Sequence, residues 1–231
     1  MRSLKQYLIK KKRFFTKKKE LKNFSVSSTE EVFTYIYNSN KWGDQHSRSG
    51  KGSNLARTEQ TRRELPRLLT ELGVHTLLDI PCGDFFWMKE IDLPVTRYIG
   101  GDIVKELVAD NNRLYGTGSR RFEHLDLLRD PLPAADLVLC RECLVHLAFA
   151  DIHKAISNIK ASGNPYLMVT HFPQIRANRD IVTGKHRALN MTLPPFNWPL
   201  PCKDMLEYPT GRKAGNKHLS TWRTADIPNP A

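Results

Sequence analysis

With 231 residues, 40% apolar and 26% charged, the chain can bury a core without disulfides or metal, and its composition excludes a disordered protein. No apolar run approaches the ~20 residues of a bilayer-spanning helix. The net charge of +12 points toward nucleic acid until it is located. Residues 1–23 hold ten Lys/Arg against Glu20 alone, and in the rest of the chain the charges nearly cancel.

The chain therefore reads as a basic N-terminal arm, residues 1–23, followed by one domain, residues 24–231. The arm runs "LIKKKRFFTKKKELK", with Phe14 and Phe15 between two cationic clusters, which suits an anionic membrane surface or RNA. It lacks the apolar run of a secretory signal, so the expected setting is cytoplasmic with reduced thiols, extending to the inner membrane surface through the arm. Residues 24–55 are polar and glycine-bearing, and "SRSGKGS", Ser47 to Ser53, is expected to fold over a ligand as a lid with Trp42 packed nearby. Gly50-Lys51-Gly52-Ser53 is not a phosphate loop, because neither the preceding strand nor the GxxxxGK[ST] spacing is present.

Next, "ARTEQTRRELPRLLTELG" places Leu65, Leu68, Leu69 and Leu72 at helical spacing. Pro66 predicts a kink or restart, and Gly73 a stop. From there strands and helices alternate. Strands are predicted at 75–80, 97–103, 121–126, 135–140 and 165–171, with helices at 104–115 and about 150–161. This alternation argues for a parallel sheet flanked by helices. Residues 172–215 are proline-rich and dense in Asn, Arg and aromatics, as a substrate-recognition insert would be, with Arg187 and Asn190 as candidate substrate contacts. "DMLEY" and "HLSTWRTADI" are candidate edge strands. Cys140-Arg-Glu-Cys143 has metal-ligand spacing, but it ends an apolar strand and reads as two packed thiols, so no metal is expected.

Acids gather where a ligand would bind in such a sheet, beyond the carboxyl ends of the strands. Asp79 and Asp84 flank the first turn, Asp102 ends the second strand, Asp126 ends the third and Glu142 follows the fourth. Asp102 comes 23 residues after Asp79, the spacing at which a carboxylate meets both ribose hydroxyls. The turn between Asp79 and Asp84 holds one glycine, Gly83, where a pyrophosphate needs three, so a phosphate-free nucleoside is favoured.

The ordered set "LLDIPCGD", "YIGGDI", "FEHLDLL" and "ADLVLCRECLVHL" resembles the class I S-adenosylmethionine-dependent methyltransferases over roughly residues 65 to 172. The resemblance implies a Rossmann-like three-layer sandwich: a mostly parallel seven-stranded sheet with helices on both faces, the seventh strand antiparallel and supplied by "HLSTWRTADI". It implies S-adenosylmethionine as cofactor. Asp79, Pro81, Cys82 and Gly83 would line its methionine and ribose part, Asp102 and Ile103 its ribose, and Asp126 and Leu127 its adenine. Arg141 would join them from the loop after strand four, which faces the transferring methyl. Pro81 and Phe85 depart from the family's small residues in the first turn. Glu142, His146 and His171 are the candidate bases, histidine suiting a hydroxyl acceptor near neutral pH. The expected reaction is O-methylation of a sugar, glycan or other small molecule. The alternatives are an RNA or protein methyltransferase docking through the arm, and a non-catalytic membrane-associated module. Leu193-Pro194-Pro195-Phe196 gives no support to base methylation, since it follows strand five and not strand four.

Overall fold

The computed structural model describes residues 20, 22–209 and 215–230. Most of the basic arm thus lies outside the described residues. Seven strands form one sheet: β1 Thr76–Asp79, β2 Arg97–Asp102, β3 Arg120–His124, β4 Leu137–Cys140, β5 Tyr166–His171, β6 Lys203–Tyr208 and β7 Lys217–Arg223. Their order is β3-β2-β1-β4-β5-β7-β6. Strands β1 to β5 pair in parallel, while β7 runs antiparallel to both β5 and β6. The expected seventh strand is thus antiparallel, but it is internal; only β6 of the two candidates is an edge.

Helices α1 Thr29–Asn38, α2 Leu55–Glu71, α3 Lys105–Tyr115 and α4 Phe149–Ala161 pack around the sheet. Side chains alternate across the strands, so each strand feeds two cores. Leu77, Leu137, Leu139 and Met168 pack with Leu65, Leu68 and Leu69 of α2 and Leu107 and Val108 of α3. Leu78, Val138, Leu167 and Val169 pack with Ile152, Ala155, Ile156 and Ile159 of α4. The result is a three-layer sandwich. Helix α2 runs through Pro66 as a single element rather than restarting there, with leucines on both sides of the proline held in the core. It stops where expected, at Gly73 with φ +65°.

Two aromatics of the 172–215 segment lie in the core. Phe196 and Trp198 are buried in the α4-side core, Phe196 edge-on to Phe149 and Trp198 edge-on to Trp222. These aromatics build the fold and do not present ring faces to a ligand. No helix among the described residues is long and apolar enough to cross a membrane.

Chain order reverses between β1 and β4: β2 and β3 extend the sheet on one side of β1, and β4 begins the other. Such a switch point opens a crevice beyond the carboxyl ends of those strands.

Candidate active site

A cavity lies at that crevice. Its floor is the turn after β1 (Asp79 to Gly83) with the ends of β2 and β4. Asp102, Ile103, Asp126, Leu127, Arg141, Glu142 and His146 all line it. The nine expected cofactor-binding residues and two of the three candidate bases therefore meet on one cavity.

The turn shows how the sequence departs from a glycine-rich loop and still leaves space. The Ile80–Pro81 peptide is cis, and the Cys82 N–H donates to Gly101 O at 2.8 Å. Gly83 has φ +57°. Phe85, at φ +56°, turns into the core against Tyr98, Tyr115 and Phe122. Its bulk is thereby removed from the cavity.

Two carboxylates at this end are buried and held by neutral donors. Asp102 accepts the Gly83 N–H at 3.1 Å and the Val104 N–H at 3.0 Å. Burial raises its pKa to about 6 although these backbone bonds pull it down. Asp79 accepts the Tyr98 hydroxyl at 2.7 Å. Burial raises its pKa to about 7, opposed by that hydrogen bond and by the Arg141 charge. Each carboxylate oxygen has two lone pairs, so acceptor capacity remains for hydroxyls or an ammonium. Asp126 is half-buried and accepts the Leu128 N–H at 2.9 Å.

At the β4 end the charges are paired. Arg141 is buried, bonds to Glu207 and donates to Gly52 O at 2.6 Å, with its guanidinium 4.8 Å from the Trp87 ring centroid. Glu142 has φ +53° and is pinned there by an ion pair to Lys217 and by its own N–H on Thr170 Oγ1 at 2.8 Å. Burial would raise its pKa, but the charges of Lys217 and Arg141 hold it at about 2. So tightly ionised a carboxylate is a poor proton acceptor.

His146 meets the requirement better. Its Nδ1 lies 2.8 Å from Lys185 O. A carbonyl only accepts, so Nδ1 carries the proton and Nε2 is the basic nitrogen. Burial lowers its pKa to about 4, with the Glu142 carboxylate opposing, so the ring is neutral at pH 7. Trp42 packs on it with centroids 5.0 Å apart.

Three expected site residues lie elsewhere. His171 is outside the cavity: its Nδ1 accepts the Met191 N–H at 3.2 Å and its ring meets Trp222 edge-on. Arg187 donates to Leu144 O at 2.8 Å and to Arg179 O at 3.3 Å. Asn190 donates to Pro173 O and Ile175 O, both at 3.1 Å. Carbonyls in irregular segments have no ladder partner and need such donors when buried. Asn190 is taken up in that role, Arg187 keeps a buried Nη2 without a hydrogen-bond partner among the described residues, and neither lines the cavity.

The sequence reading does not anticipate the part of the cavity roof supplied by α1. Thr29, Phe33 and Tyr37 of α1 line it, four residues apart on one helical face. A signal is present: Ser28 and Glu31 form a capping box, with the Ser28 N–H donating to the Glu31 carboxylate at 2.7 Å.

No protein-family profile matches the chain, and no curated protein matches it either. Solved structures do. An N-methyltransferase, NodS from Bradyrhizobium japonicum WM9, in complex with S-adenosyl-L-homocysteine, is 15% identical with a TM-score of 0.59 over 85% of this chain and 99% of that one. Magnesium protoporphyrin IX methyltransferase (ChlM) from Synechocystis PCC 6803, with bound S-adenosylmethionine, is 14% identical with a TM-score of 0.58 over 86% and 99%. The fold is that of the class I S-adenosylmethionine-dependent methyltransferases. Human N-acetylserotonin methyltransferase shares this methyltransferase fold at 16% identity and TM-score 0.52, over 88% of this chain and 61% of its own.

Proposed function

We propose that this protein transfers a methyl group from S-adenosylmethionine to a hydroxyl of a small molecule, sugars and glycan units included. The observation that carries the reading is the meeting of Asp102 and His146 on one cavity. Asp102 offers remaining lone pairs for paired ribose hydroxyls, and His146 offers Nε2, the nitrogen not held by Lys185 O, for the proton of the acceptor. The wall also fits the charge of the donor. Asp102 and Asp126 would repel phosphates and attract a cationic nucleoside. When bound, S-adenosylmethionine supplies an electrophilic sulfonium methyl.

The chain's own residues then have three tasks. Asp102, Gly83 and Ile103 hold the ribose, with Asp126 and Leu127 at the adenine. Phe33, Tyr37 and Trp42 exclude water and give the acceptor an apolar seat. His146 takes the hydroxyl proton at Nε2, and Lys185 O fixes the tautomer that leaves this nitrogen free.

The test is a labelled-methyl transfer screen over sugars, small phenols and RNA. Transfer to a sugar or phenol supports the reading. His146→Asn is expected to lower kcat by about 10²–10⁴-fold without weakening cofactor binding. An unchanged kcat would remove His146 as the base. The charge of residues 1–23 supports a second reading, docking on RNA or an anionic membrane. Transfer to RNA that falls with salt and with deletion of residues 1–23 would favour it over the small-molecule reading.

A further inference from the structure

Asp84, one residue beyond Gly83, does not line the cavity; its carboxylate grips a segment that arrives from before α2. One oxygen accepts the Ser47 hydroxyl at 3.0 Å and the Ser49 hydroxyl at 3.1 Å. The other accepts the Arg48 N–H at 2.8 Å. In return the Asp84 N–H donates to Ser49 Oγ at 2.8 Å. Four hydrogen bonds, three of them onto a carboxylate, thus tie residues 47–49 to the turn after β1. The fit is close: a Cβ on Gly83 would stand 2.3 Å from Ser49 Oγ.

The same segment is tied again at its far end. Gly52 O accepts from Arg141, which comes from the end of β4 and is itself anchored by Glu207. Between the two ties, Gly50 at φ +91° packs so closely on Trp42 that a Cβ would lie 2.8 Å from Trp42 Cβ. Residues 47–53 therefore bridge the ends of β1 and β4, the two strands between which the crevice opens. Arg48, Ser49 and Ser53 line the cavity from above.

We propose that residues 47–53 are a strap closing the cofactor cavity and that Asp84 is its latch, a positioning residue that sets how long the cofactor stays bound. This rests on the methyltransferase reading for the identity of what the strap covers. Asp84 acts through Ser49 and Arg48, not by touching the ligand. A cofactor enters and leaves when the bonds to Asp84 open, and the tie at Gly52 keeps the strap in register for reclosing.

The experiment uses the full chain with S-adenosyl-L-homocysteine as probe. Asp84→Asn keeps the shape but sets an amide donor among the donors of Ser47, Arg48 and Ser49. Its expected effect is a release rate raised about tenfold or more, read by stopped flow. Amides of residues 47–53 should exchange faster in the ligand-free variant while those of β1 and β4 keep their native protection. Ser49→Ala, a loop substitution that leaves the core intact, should show the same changes to a smaller degree. Native release rates together with native exchange across 47–53 in both variants would overturn the latch. A native protein that binds neither S-adenosylmethionine nor S-adenosyl-L-homocysteine would instead overturn the methyltransferase reading, and the exchange arm would still decide whether Asp84 holds the strap.

Discussion

Two pairs of carboxylates stand at the same crevice and are held in opposite ways. Asp79 and Asp102, at the ends of β1 and β2, accept neutral donors: a phenol and backbone N–H groups. Glu142 and Glu207, on the β4 side, are ion-paired to Lys217 and Arg141. All four are acids near one cavity, but burial raises the pKa of the first pair, whereas neighbouring cations hold Glu142 at about 2. An acid with cations already on it is part of the frame. An acid held by neutral donors keeps lone pairs for the hydroxyls or ammonium of a ligand.

The largest effect expected from breaking this contrast is on the paired side. Glu207 holds Arg141 and lies 3.4 Å from Lys217, all in the interior. Glu207→Gln leaves two buried cations sharing Glu142 and is expected to cost about 3–5 kcal/mol in urea denaturation. A loss below about 1 kcal/mol, the scale of an exposed pair, would mean the network is not a structural frame.

A smaller effect separates the pairs by pH. The folded pKa values of Asp79 and Asp102 lie above the ordinary 3.8, so the folded state keeps protons that the unfolded chain releases. Their contribution to stability is present below about pH 4 and is lost as pH rises toward 7 for Asp79 and 6 for Asp102. Glu142 has the reverse sign: its contribution is present above 4.5 and is lost as pH falls toward 2. In the ligand-free protein, Asp79→Asn should flatten the decline in urea midpoint between about pH 4 and 7 and leave the acid limb unchanged. An unaltered decline would show that Asp79 is not the proton-holding group.

The free side of the contrast was readable in the sequence and the paired side was not. Asp79 and Asp102 end short runs that form β1 and β2, and Asp126 falls two residues past β3. Strand ends are local, so the chain position of an acid fixes its place. The partners of Glu142 and Arg141 come from β7 and β6, 75 and 66 residues on, and no local pattern announces that meeting. Arg187 and Asn190 stand off the cavity for a related reason: in an irregular segment, polar side chains are drawn to nearby carbonyls. The roof residues Phe33 and Tyr37 were legible through the Ser28–Glu31 capping box, but they stand in a stretch that reads as polar and glycine-bearing.

Whether the unpaired acids form a nucleoside site is decided by calorimetric titration of S-adenosyl-L-homocysteine into the native protein and into Asp102→Ala. The expected result is one bound ligand per native chain, with affinity about 10- to 100-fold weaker in the variant through the loss of charge-assisted hydrogen bonds. No binding to the native protein, or equal affinity in the two, would contradict the assignment of Asp102 to the ribose.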